Sequence, residues 1–222
     1  MFDYLRYYLG PLCVAIGISG FILGNNYLWL GFATYFVVAV FDILLPRDLA
    51  NRSIDNEFLA ELPLYIHVGL MITLYGAFTW RAAFDGGAWQ WSSVQMLGAT
   101  ASLTWLSAVP NLPIQHELLH HRDRFSRACA FLLGALYGDP VRGLPHLHGH
   151  HIHLGTPQDH DTARRGETMY TFPFRATWGS YSDAWRVESQ RLEKYAKNKW
   201  TLANRCLQAI ALEVIILGII GI

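Results

Sequence analysis

The chain has 222 residues, of which 52% are apolar and 14% aromatic, with only 15% charged and no net charge at neutral pH. An ordinary soluble domain carries about 25% charged residues, so the composition argues against a soluble protein, and the absence of a basic excess excludes a nucleic-acid partner. Cys13, Cys129 and Cys206 are scattered with no CxxC pair, which leaves no disulfide framework or thiolate metal site.

Met1 to Gly10 holds one Arg and no small-residue cleavage site, so it leads into a retained membrane segment, not a signal peptide. Tyr8 to Leu23 is apolar and uncharged and ends at the turn signal Gly24-Asn25-Asn26. Tyr27 to Leu45 follows, with Asp42 its only charge. Each arm is near the ~20 residues a bilayer requires, and together they predict a transmembrane hairpin. After the polar stretch Pro46 to Glu61, Leu62 to Trp80 and Val94 to Val109 predict a second hairpin. Its connection, Arg81 to Ser93, contains Gly86-Gly87, and Trp80, Trp89 and Trp91 suit an interfacial belt.

Beyond Pro110 the chain turns polar. Arg122 to Arg205 contains thirteen of the seventeen Lys and Arg residues. Four spans starting inside leave only Arg81 on the far side, so the positive-inside rule places segment 111–204 in the cytoplasm. Phe125 to Gly138 is apolar, but its fourteen residues rise only ~21 Å against a ~30 Å hydrocarbon core, so it is expected to be a non-spanning helix. Val187 to Lys199 reads as a basic, solvated or headgroup-facing helix. Arg205 to Ile222 begins a fifth membrane segment and is still apolar at the last residue, which suggests a fragment. The expected fold is an all-α, polytopic membrane protein, a single incomplete domain over 1–222. It has about five transmembrane helices (two hairpins in 8–110, and the start of a further helix in 205–222) and a cytoplasmic histidine-rich helical segment.

Nine of the ten histidines fall between His116 and His160. They form two H-x-x-x-H-H patterns, His116/His120/His121 and His146/His150/His151. Residues four apart share a helix face, and neutral imidazole is the commonest ligand for zinc, iron, copper and nickel. The isolated His67 reads as a packed or hydrogen-bonded residue. Three metal readings follow. His116-Glu117-x-x-His120 matches the zinc metalloprotease motif with Glu117 as base, which makes the second cluster surplus. A structural or transport metal is the second. The third is a pair of irons held mainly by imidazoles with open positions for O₂, unlike the carboxylate-rich soluble di-iron bundles.

The residues resemble the membrane alkane hydroxylases, within the wider superfamily of fatty-acid desaturases and hydroxylases. His116-Glu117-Leu118-Leu119-His120-His121 is similar to that family's HELxHK. Pro145 to Glu167, PHLHGHHIHLGTPQDHDTARRGE, resembles its EHxxGHHxxxATPxDPAxxRxGE. Trp178-Gly179-Ser180, Ala184-Trp185, Glu188 and Arg191-Leu192 resemble the stretch after that box, and Asp42 ahead of Arg47-Asp48 resembles an acidic turn.

The resemblance implies that His116, His120, His146, His150 and His151 are iron ligands of a non-haem di-iron centre. His121, where alkane hydroxylases carry Lys and desaturases often His, is a further candidate. Glu117, Asp159 and Glu167 match acidic positions, and the last two are expected to orient ligand imidazoles. Pro145 replaces a family Glu and His160 a family Pro; His148 and His153 replace variable positions. The family's downstream ligand segments, NYxEHYG and LQRHxDHH, do not occur in these residues, so the chain alone is expected to hold iron poorly and to be inactive. The implied reaction is O₂-dependent terminal hydroxylation of medium-chain alkanes drawn from the lipid bilayer. Electrons would come from rubredoxin and its reductase, and the enzyme would be multi-pass in the membrane (the inner membrane in a bacterium). A desaturase or a xylene-type aromatic methyl monooxygenase shares the boxes. An intramembrane zinc protease or an inactive remnant are readings of a different class.

Overall fold

The computed structural model describes residues 2–46, 55–84 and 90–220. The expected turn at Arg47-Asp48, the Gly86-Gly87 connection with Trp89, and Ile222 lie outside them. Among the described residues there is helix and turn and no strand, the all-α architecture that the apolar runs predict. Eight helices among the described residues have ten residues or more: α1 (Leu9–Leu23), α2 (Leu30–Leu44), α3 (Glu57–Phe84), α4 (Ser93–Ala108), α5 (Asn111–His120), α6 (Arg124–Tyr137), α7 (Phe172–Lys194) and α8 (Arg205–Ile220). The chain divides into two units, Met1–Cys129 with Ile219–Ile222, and Ala130–Gly218.

Among the described residues three helical stretches are long and apolar enough to cross a bilayer: Arg6–Leu23, Asn25–Leu44 and Glu57–Ala83. Helices α4 and α8 have 16 residues each, about 24 Å at 1.5 Å per residue, and fall short of that length. Three of the five expected spans therefore reach it. Helix α3 starts at Glu57, five residues before its apolar run, with Pro63 inside it.

In the first unit, small residues let apolar helices approach closely, as lipid-embedded packing favours. The chain leaves α1 through Gly24 (φ 72°) and Asn25 (φ 51°). Arg81, near the end of α3, donates from Nε to the Phe21 carbonyl at 2.8 Å and from its guanidinium to the Ile22 carbonyl. A cation thus satisfies the exposed carbonyl end of α1, a role for the one basic residue the charge pattern set apart. Ser102 of α4 donates to the Leu28 carbonyl at 2.6 Å and accepts from the Phe32 amide at 2.9 Å. Trp105 Nε1 donates to Thr34 Oγ1 at 2.9 Å. Helix α4 begins with a reciprocal cap: Ser92 Oγ accepts from the Gln95 amide, and Gln95 Oε1 accepts from the Ser92 amide at 2.8 Å. His67 is fully buried in α3.

Gly20 is the tightest backbone approach in this unit. A Cβ there would sit 2.5 Å from the Tyr27 carbonyl oxygen, a backbone atom that cannot swing aside. Gly20→Ala is expected to lower stability by about 1–3 kcal/mol, read as a lower melting temperature of the detergent-solubilised protein. Unchanged melting would mean that the α1–α2 turn relaxes freely.

The second unit has its own core of Val141, Ala184, Cys206 and Ala209, with Phe131, Leu144, Tyr181 and Trp185 packed against it. Glu188 is a fully buried carboxylate of this unit. The carboxylate accepts from Arg191 (2.6 and 2.9 Å), from the Arg205 side chain (2.9 and 3.0 Å) and from the Arg205 amide (2.8 Å). Burial pushes this carboxyl up, but the two arginines outweigh it and hold it at about 2. Asn204 caps α8 by accepting from the Cys206 amide at 2.9 Å.

Candidate metal centre

Helix α5 carries the first histidine box. Asn111, Ile114, Gln115, Leu118 and Leu119 are its buried residues. That fixes the rotation of the helix and leaves His116, Glu117 and His120 on the exposed side. His116 and His120 lie one turn apart with ring centroids 4.7 Å from each other, and their ligand nitrogens fall within 4.8 Å. The helix ends at His120. His121 is in extended conformation (φ −67°, ψ 146°) and turns toward Asp123, its Nδ1 3.8 Å from Oδ2. Asp123 in turn accepts from the Ser126 amide at 2.8 Å and starts α6. Hydrogen bonds from Ser126 hold its carboxyl below the usual range.

The second box is not an α-helix. His146–His150 form a π-helical turn in which the His151 amide donates to the His146 carbonyl, five residues back. One extra residue per turn moves the neighbour of His146 from the fourth position to the fifth. The His146 and His151 rings are 4.6 Å apart, against 5.3 Å for His146 and His150. The Nε2 atoms of His146 and His151 approach to 3.0 Å. Nitrogen–metal bonds of about 2.1 Å place cis ligands of an octahedral ion about 3.0 Å apart, and tetrahedral ligands about 3.4 Å apart. Two Nε2 atoms that close require a shared proton or a shared cation, and the spacing fits a divalent metal. Short π segments are frequent at functional sites.

His150 is set from behind. Its Nδ1 lies 3.0 Å from both oxygens of Asp159, so Nδ1–H donates to the carboxylate and Nε2 is free to bind metal. Burial pushes the Asp159 carboxyl up, but hydrogen bonds from Thr162, His150 and the Asp161 amide outweigh it and hold it below the usual range. Among the described contacts Glu167 bonds no histidine. It takes Arg175 in a fork, Nε to Oε1 at 2.6 Å and Nη2 to Oε2 at 2.7 Å, and that partner with the Arg164 amide holds its carboxyl at about 2. Arg175 also donates to the carbonyls of His160 and Thr162, both at 3.0 Å. It therefore ties down the loop that carries Asp159.

The residues brought together are thus His116 with His120, and His146, His150 and His151 with Asp159. His121 and Glu167 turn to other partners. His160 is buried and bonds Asp183 through Nδ1 at 3.0 Å. Gly179 of α7 makes room for it, since a Cβ at that position would collide with the His160 Cβ. Sequence reasoning missed three supporting residues: Thr162, Arg175 and Asp183. Arg175 lies eight residues past Glu167, a spacing without meaning until the intervening turn is known. Nothing local marks Asp183.

Comparison with known proteins adds to this geometry. The fatty acid desaturase family matches residues 93–222. The chain is 41% identical over 220 residues to the xylene/toluene monooxygenase hydroxylase component XylM of Pseudomonas putida, covering 99% of this chain and 59% of that protein. It is 33% identical over 187 residues to alkane 1-monooxygenase 1 of Alcanivorax borkumensis, covering 82% of this chain and 45% of the relative. It is 34% identical over 105 residues to the alkane 1-monooxygenase of Ectopseudomonas oleovorans, covering 47% and 26%. The chain therefore spans roughly half the length of the curated relatives it matches over most of its own length.

Proposed function

The chain belongs to the fatty acid desaturase family, and from that membership we propose that it is the histidine-box part of a membrane hydrocarbon monooxygenase. The observation that carries this reading is the second box, with two Nε2 atoms 3.0 Å apart beside a third imidazole oriented by Asp159. His116, His120, His146, His150 and His151 are its proposed ligands for a non-haem di-iron centre. His121 is a further candidate. Irons so held supply O₂ activation and the oxidising power to attack an unactivated C–H bond. The chain's own residues do the positioning. Asp159 fixes the tautomer of His150, and Arg175 fixes the loop that carries Asp159. The neutral imidazoles leave the metal charge uncompensated.

The substrate class is a methyl-bearing hydrocarbon that enters from the bilayer. Identity of 41% across 99% of this chain to a xylene/toluene hydroxylase component favours methyl arenes, with medium-chain alkanes as the second reading. Electrons come from a small acidic carrier of the rubredoxin type and its reductase, which dock on the basic residues of segment 111–204 at the cytoplasmic face.

The test is product analysis in cells that express the gene and are supplied with p-xylene or octane. A benzylic alcohol or 1-octanol is the expected product. Alkenes would make the protein a desaturase. Zinc in place of iron in the purified protein would return the protease reading of Glu117. Rates that ignore ionic strength would remove the electrostatic docking of the electron carrier.

A further inference from the structure

Helix α7 has two opposed faces. Ala176, Ser180, Ala184, Glu188 and Leu192, four apart, are its buried residues. On the other side, also four apart, run Phe174, Trp178, Ser182, Arg186 and Gln190, all exposed, and Tyr170, just ahead of the helix, is exposed as well. This outer stripe changes character partway. Tyr170, Phe174 and Trp178 are 77%, 82% and 78% exposed, among the most exposed aromatic side chains described. From Ser182 onward the same stripe is polar. One exposed face that is aromatic at one end and polar at the other matches a helix that passes from a bilayer interface into water.

The neighbouring helix sets the level. Three successive contacts run in opposite directions along α7 and α8. Glu188 binds Arg205, Ala184 shares a core with Cys206 and Ala209, and Tyr181 lies 3.4 Å from Glu213. The two helices are therefore antiparallel. Trp178 and Phe174 continue past Tyr181 by about 4.5 and 10.5 Å along the axis. Trp178 lies at the level at which α8 exposes Ile215 and Leu217, and Phe174 lies about one turn further along. No residue of α8 from Ile210 to Ile220 is buried, and Glu213 is the only polar residue among them. The aromatic end of the stripe thus continues an apolar surface in the same unit.

We infer that Tyr170, Phe174 and Trp178 form a membrane-interface anchor that seats the start of α7 at the headgroup–acyl boundary of the bilayer. Phe174 supplies apolar area, while Tyr170 and Trp178 add polar tips that hydrogen-bond at the headgroups. The loop ahead of them carries exposed Arg164 and Arg165, which suit anionic lipid. The anchor would hold the segment between the second histidine box and α8 against the membrane from which an apolar ligand arrives.

Site-directed spin labelling tests this. The native Cys13, Cys129 and Cys206 are buried, so labels introduced by F174C, W178C, S182C and Q190C report their own positions. In nanodiscs containing anionic lipid, labels at 174 and 178 are expected to have an oxygen-to-nickel-chelate collision ratio several-fold above that at 190, with 182 intermediate. A ratio at 174 and 178 equal to that at 190 would place the stripe in water and overturn the inference. Exclusion of both reagents would mean that a protein partner or a second copy covers the stripe, and would overturn it as well. All four positions point outward, so loss of one variant leaves the gradient readable from the others. The outcome does not depend on iron or turnover, so failure here is distinct from failure of the proposed reaction.

Discussion

Replacing Asp159 with alanine is expected to weaken iron retention at the proposed centre about 10- to 100-fold, the usual effect of removing a carboxylate that holds a ligating histidine. The carboxylate is the only polar group found within 3.0 Å of His150 Nδ1 among the described contacts, and both its oxygens are engaged there. Without it, His150 loses the partner that selects its tautomer, and Nδ1–H is left without its acceptor. D159N keeps an acceptor oxygen and is expected to retain most of the affinity. Thr162 and the Asp161 amide also bond Asp159, so the alanine variant loosens the loop as well. Ferrous-iron release to a competing chelator measures the effect, with far-ultraviolet circular dichroism as the check on folding. Equal release from D159A and the parent protein would sink the assignment.

Loss of Glu188 is expected to cost most in stability. Its carboxylate is fully buried and joins α7 to α8 through Arg191 and Arg205, whose side chains are 34% and 48% exposed. Held at about 2 against an ordinary 4.5, this carboxyl contributes up to about 3 kcal/mol at neutral pH, at 1.36 kcal/mol per pKa unit. Partial solvation of the arginines makes that a ceiling. The sign follows from the depressed value: the stabilisation is fully present above about 4.5, falls as pH drops from there toward 2, and is gone below 2. Thermal melts of the detergent-solubilised protein between pH 7 and 3 are the measurement. E188Q should melt lower at pH 7 and lose less on acidification. Parallel curves for the two proteins would show that Glu188 is not the titrating group.

The apolar runs made most of the fold legible. The expected spans from Tyr8 and Tyr27 begin as helices at Leu9 and Leu30, because an unbroken apolar stretch needs no tertiary information to declare itself. The apolar piece starting at Phe125 forms the fourteen-residue α6, close to the expected bounds. Helix α7 is legible over only about its last third. The sequence predicts helix only at its basic end, over Val187–Lys199. The helix spans Phe172–Lys194 and stops before Ala196, whose φ is +51°. The small-residue stripe Ala176, Ser180, Ala184 and the proline in its first turn were the available signals. They were masked by exposed aromatics that interrupt the usual polar face. In the candidate site, residue type was legible and register was not. Two boxes with the same spacing read as two equal α-helical faces, while hydrogen bonding made one a regular α turn and the other a π turn.

That difference gives the histidine doublet a meaning of its own. A helix that slips between α and π register exchanges the fourth residue for the fifth as the neighbour of a given side chain. With His150 and His151 adjacent, an imidazole stands opposite His146 in either register. The second box thus supplies a histidine at both the fourth and the fifth position after His146, and the structure pairs His146 most closely with the fifth. The first box has the same doublet, but its helix ends between the two, and His121 faces away toward Asp123. One pattern of letters therefore encodes a π-register pair, His146 with His151, in the second box and an α-register pair, His116 with His120, in the first.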